Sequence, residues 1–183
     1  MASDNILPYK GVWPRIAPGA FIAPNAYVIG DAEIGPETNI WFGCLVRGDM
    51  NVIRIGKRVN IQDLTVVHVD SRKYGTFIGD HVTIGHSAII HACTLQERSF
   101  VGMQACVMDG AVIETGAMVA AGALVPPGKV VKAGQLWAGR PARFVRDCAE
   151  REKEMIEGVP TEYWRMAERY LAAGIGVVKA GKN

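Results

Sequence analysis

Aliphatic side chains recur at every sixth position over most of the chain: Ile16, Ile22, Val28, Ile34, Ile40 and Val46 form the first run. After a three-residue slip the pattern resumes at Ile55, Ile61 and Val67, and after a longer gap at Ile78, Ile84 and Ile90. It then continues through Leu95, Val101, Val107, Ile113, Val119 and Val125. A six-residue period fits neither an amphipathic helix, with its 3.6-residue period, nor hairpins joined by irregular polar turns. It predicts a coil of three short parallel strands per turn. Each turn, about eighteen residues long, stacks on the last at the strand spacing of about 4.8 Å, with one aliphatic residue per strand pointing at the axis. The inward residue is often followed by glycine, as at Ile34-Gly35, Ile55-Gly56, Ile84-Gly85 and Val101-Gly102, which suits places where a side chain would clash.

The repeat ends near Leu136-Trp137-Ala138-Gly139-Arg140-Pro141, where glycine and proline break the strand pattern. From about Ala142 the chain reads as helical. Phe144, Val145, Cys148, Met155 and Ile156 sit among Arg and Glu at amphipathic spacing. Gly158-Val159-Pro160 predicts an interruption, with Thr161 as a new cap and Tyr163, Trp164, Ala167, Tyr170 and Leu171 as a second apolar stripe. The expected organisation is a coil domain over 1–141 and a helical tail over 142–183, packed on the coil.

Composition narrows the function classes. With 183 residues, 49% of them hydrophobic, the chain buries one sizeable core. A net charge of +2 without a basic block gives no reason to expect a nucleic-acid partner. The first eleven residues carry Asp4, Asn5 and Pro8 and look like neither a signal peptide nor a membrane span, so a cytoplasmic protein without a membrane partner is expected. Cys44, Cys93, Cys106 and Cys148 are widely separated and suggest neither disulfides nor a thiolate metal site.

The six-residue steps resemble those of hexapeptide-repeat proteins. That resemblance implies a left-handed parallel β-helix, here mainly β with about six to seven turns and a C-terminal α-helical tail; the spacing alone does not set the hand.

Three of the four histidines fall within 24 residues, and the repeat places them. If Ile61 lies on face A and Val67 on face B, the five-residue insertion before Ile78 puts Ile78 on face C, Ile84 on A and Ile90 on B. His68 and His91 then follow the inward residues of face B in adjacent turns, since 91 − 68 = 23, or eighteen plus five. Their imidazoles point outward one rung apart, where both can reach one metal ion. His86, two positions after Ile84, sits on face A near a corner and diverges from the pair. A three-histidine site therefore needs a neighbouring chain, and a homotrimer that sets a corner of one prism against a face of the next supplies three such sites at subunit interfaces. Zinc is the expected metal, with iron or cobalt compatible with the same donors. His81 lies outside this arrangement.

Arg47-Gly48-Asp49, then Asn60-Ile61-Gln62-Asp63, then His68, His86 and His91 follow the motif order of the γ-class carbonic anhydrases, which this chain resembles over the coil and into the tail. The resemblance implies reversible hydration of carbon dioxide to bicarbonate by a metal-bound hydroxide, zinc lowering the pKa of its water to about 7. It also implies that Arg47 and Asp49 pair near the subunit contact, that Gln62 and Asn60 orient the small ligand, and that Tyr163 enters the pocket. Packing alone competes for Tyr163, and a structural role for Asp63. Two further classes stay open: a metal-dependent hydrolase, thioesterase-like, and a non-catalytic trimeric assembly protein. The chain departs from the best-known γ-class pattern where a glutamate is replaced by Met50 and where the loop after His68 is short and lacks acidic residues beyond Asp70. Slow turnover limited by proton export is the expected consequence.

Overall fold

The computed structural model describes residues 5–176. They form a left-handed parallel β-helix of about seven turns, followed by one C-terminal helix, Glu150–Ala172. The register follows the sixfold pattern. Ile61 lies between Ile40 and Ile84, Val67 between Val46 and Ile90, and Ile78 between Ile55 and Leu95. All the aliphatic positions named above are buried, apart from the half-buried Ile16 in the first turn. Burying each one stabilises the fold by about 1.5–3 kcal/mol, so the column is the main source of cohesion.

The glycines after inward residues answer a close approach between rungs. A Cβ on Gly85 would fall 2.5 Å from the amide nitrogen of Met103, so any side chain there would push successive turns apart. The three-residue slip after Val46 is absorbed in an eleven-residue strand, Leu45–Ile55, which pairs with Tyr27–Ile34 along two faces and shifts register between Gly30 and Ala32. This irregularity carries Asp49 out of the regular ladder.

The tail differs from its expected form in two ways. Residues 142–147 are not helical: Ala142–Asp147 is a strand antiparallel to Gln135–Gly139. Gly139 and Pro141 turn the chain back on itself, and the open edge of the last face A strand offers unpaired backbone groups to the returning segment. Phe144 and Val145, read as a helical stripe, are exposed on that strand.

Nor is the helix interrupted. It runs through Gly158 and the buried Pro160, packing on the face A strands Phe21–Ile22, Asn39–Ile40, Asn60–Ile61 and Thr83–Ile84. This tertiary packing outweighs the cost of about 3 kcal/mol for proline inside a helix. The helix start is pinned by Glu152, which accepts the Ala149 N–H at 2.7 Å and pairs with Arg146. The Arg146 hydrogen bonds and the Ala149 N–H together bring the Glu152 carboxyl down to about 2. The last seven residues of the expected tail lie outside the described residues.

Candidate metal centre

Face B carries two of the three predicted ligands. His68 and His91 are opposite one another on adjacent strands, Val66–His68 and Ile89–His91, with ring centroids 5.3 Å apart. Backbone hydrogen bonds lock the rungs at the following corner: Ala92 N–H donates to His68 O at 3.0 Å, and Gly110 N–H to Ala92 O at 2.7 Å.

Arg47, next to the Val46 that pairs with Val67, lies on the rung before His68. Its guanidinium is hydrogen-bonded to one oxygen of Asp49, whose other oxygen is 3.1 Å from His68 Nε2. Burial works to raise the Asp49 carboxyl, but hydrogen bonds from Arg47 and His68 outweigh it and hold the group below its ordinary range. Burial lowers the His68 imidazole, helped by the charges of Arg47 and His91 and opposed by the Asp49 hydrogen bond. His68 is thus kept neutral, the form that binds metal.

His86 occupies the corner between faces A and B. Asp63 stands beside it on the preceding rung, with Oδ2 2.9 Å from His86 Nδ1. The two are within ion-pair range but outside hydrogen-bond alignment. The Tyr163 hydroxyl is 3.5 Å from His86 Nε2, and its ring packs edge-on against Trp41 with centroids 5.5 Å apart. The helix therefore delivers Tyr163 to the site and also packs through it. Burial, then the Asp63 charge, pushes the phenol upward, so it stays a neutral hydrogen-bond donor.

Asn60 and Gln62 are buried under the helix. Gln62 Nε2 donates to Asn60 Oδ1 at 3.1 Å, and Asn60 Nδ2 donates to Thr83 Oγ1 at 2.8 Å. Neither is hydrogen-bonded to a histidine; Gln62 is the chain neighbour of Asp63 and joins this row to the His86 corner. His81 sits at a different corner, with φ of 59°.

Among the described residues, no group of three His, Cys, Asp or Glu side chains gathers closely enough within one chain to hold a metal ion. His86 diverges from His68 and His91, as its place in the repeat requires. The donors nonetheless suit a metal. Two imidazoles lie in register, His68 is held neutral, and the buried His91 Nδ1 has no hydrogen-bond partner. Asp109 Oδ1 is 3.2 Å from that nitrogen, within ion-pair range but outside hydrogen-bond alignment.

The places of Asp109 beside His91 and of Asp63 beside His86 are not in the sequence reading, although spacing carries both. Asp109 is eighteen residues after His91, and Asp63 is twenty-three before His86, across the same five-residue insertion. Each is one turn from its histidine.

The model of the bacterial transferase hexapeptide family, described as six repeats, matches residues 14–48. The chain is 46% identical to a carbonic anhydrase of Geobacillus kaustophilus, over 91% of each. It is 44% identical to gamma carbonic anhydrase 1, mitochondrial, of Arabidopsis thaliana over 87% of its own length, and spans 60% of that longer relative. A solved hexapeptide transferase family protein of Anaplasma phagocytophilum superposes with a TM-score of 0.87 at 49% identity, covering 90% of this chain and 97% of that one. Identity at this level over about nine tenths of the chain shows that it belongs to the γ-class carbonic anhydrase family of hexapeptide-repeat proteins.

Proposed function

We propose that the chain is a metal-dependent γ-class carbonic anhydrase-like enzyme, a lyase that interconverts carbon dioxide and bicarbonate at sites shared between the subunits of a trimer. The observation that carries this reading is the pair of half-sites: His68 and His91 in register on face B, and His86 alone on a corner.

The surroundings of the half-sites support their meeting across an interface. The outward row of face B is Leu45, Val66, Ile89, Cys106 and Leu124, with Ile89 46% exposed. The corner bearing His86 shows Leu64, 65% exposed, and Met103, 53% exposed. Seating this corner against face B of a neighbour covers both apolar sets and brings His86 to the other two histidines. Repeating the same heterologous contact closes a ring of three.

Zinc is the metal we assign to three neutral imidazoles, with iron or cobalt compatible; once bound, it supplies a Lewis acid that brings the pKa of water to about 7. The chain's own groups prepare the site. Asp63 stands beside His86 Nδ1, and Arg47 holds Asp49 ionised against His68. Asn60 accepts from the Gln62 amide, leaving the Gln62 carbonyl oxygen for a hydrogen-bonding ligand. Tyr163 presents a neutral hydroxyl beside His86 to a bound oxyanion.

Proton export is the weak step in this reading. Met50, 56% exposed beside Asp49, cannot carry a proton. Asp70 is occupied, accepting the backbone N–H groups of Arg72 at 2.9 Å and Lys73 at 2.7 Å, which lower its carboxyl and make it a poor proton acceptor. Stopped-flow measurement on the zinc-loaded protein should show hydration that is slow in dilute buffer and rises with added imidazole. Met50→Glu should raise the rate in dilute buffer by about tenfold or more, within the usual contribution of a positioned acid–base group. Absence of hydration with the metal in place would overturn the activity.

A further inference from the structure

Each of the three histidines has one carboxylate beside it, but the three contacts differ. Asp49 meets His68 at Nε2, and Asp63 meets His86 at Nδ1 in a short contact. Asp109 faces His91 Nδ1 at 3.2 Å without aligning, and that nitrogen is buried and otherwise without a partner. A buried ring nitrogen left unsatisfied costs about 1–3 kcal/mol, a cost that an aligned hydrogen-bond partner would remove.

Asp109 is well placed to supply the missing partner. Its backbone is held at the corner after face B, where its carbonyl accepts the Gly128 N–H at 2.8 Å and the next residue, Gly110, is tied to Ala92. A Cβ on Gly110 would fall 2.9 Å from the Tyr74 ring, so the insertion after His68 lies closely over this corner. Among the described residues, the Asp109 side chain has no polar contact other than the one with His91. Its backbone is thus held while its carboxylate is uncommitted.

We infer that Asp109 is the positioning residue for His91: a small rotation of the imidazole, as its Nε2 takes a metal ion, brings Nδ1–H into line with Asp109 Oδ1. The closed contact selects the tautomer with a free Nε2 lone pair and strengthens that nitrogen as a donor. His86 likewise has a carboxylate oxygen beside its Nδ1, Asp63 Oδ2 at 2.9 Å. This inference rests on the proposed metal centre, and the test separates the two.

The experiment measures the zinc(II) dissociation constant of the full-length assembly by competition with a chromogenic chelator, for the wild-type protein, Asp109→Ala and Asp109→Asn. Thermal unfolding of each metal-free protein is recorded alongside. Asp109→Ala should bind zinc about 10–100-fold more weakly, the usual loss when a ligand's outer partner is removed, with unchanged metal-free melting. Asp109→Asn, whose amide oxygen can still accept from Nδ1–H, should recover most of that loss. Zinc affinity of Asp109→Ala within twofold of wild type would overturn the inference and leave the metal centre standing. An Asn variant no better than the Ala variant would overturn it too, because a general loss of charge or structure would then explain both. A wild-type protein that binds no zinc would overturn the metal centre itself, and the inference with it.

Discussion

Replacing His68, His86 or His91 singly with alanine is expected to strip the metal, while His81→Ala retains it. Removing an outer hydrogen-bond partner of a metal ligand typically costs about 10–100-fold in affinity, and deleting one of three ligands should cost more than the upper end of that range. The contrast with His81 makes the test specific. All four residues lie on the same coil, but His81 occupies a corner away from the face B pair. Metal content after gel filtration, measured by elemental analysis, checks the result. Loss of metal from His81→Ala as well would show that the phase of the repeat does not govern ligation.

Ile89→Asp is expected to convert the assembly to folded monomers that lack metal. Ile89 stands between Val66 and Cys106 in the outward row of face B, one residue before the buried Ile90 and two before His91. In a single chain it is 46% exposed, so a carboxylate there is solvated and the coil should keep its circular dichroism. At a closed interface the same charge is desolvated without a partner, which costs several kcal/mol per subunit. Sedimentation velocity at micromolar concentration would show the loss of the trimer. A trimer that persists and still binds metal would place the subunit contact on another surface.

Much of this arrangement was legible in the sequence because a β-helix converts spacing into position. Two residues separated by one turn are neighbours whatever lies between them, so 91 − 68 = 23 suffices to pair His68 with His91 once the insertion is counted. The same arithmetic separates His86 from that pair. What was not legible depends on directions that periodicity does not encode. Phe144 and Val145 are apolar at a spacing compatible with a helix, yet the open edge at Gln135–Gly139 recruits the segment as a strand. Pro160 reads as a helix breaker, and only packing against the coil keeps the helix running through it. Tyr163 reaches His86 because the helix lies across face A, an approach that no local pattern specifies.

The shared site is the central claim, and mixing two defective subunits tests it most directly. His86→Ala keeps the face B pair and His91→Ala keeps the corner, and neither alone should hold zinc. Refolded together at equal concentration, about three quarters of random trimers contain both kinds of subunit. In a ring of identical contacts, each mixed trimer has one interface with an intact corner against an intact face. The account predicts recovery of about one quarter of the wild-type zinc, appearing only after mixing and refolding. If the three histidines instead ligated within one chain, no mixture could restore a site, and zinc content would stay at the background of the separate variants.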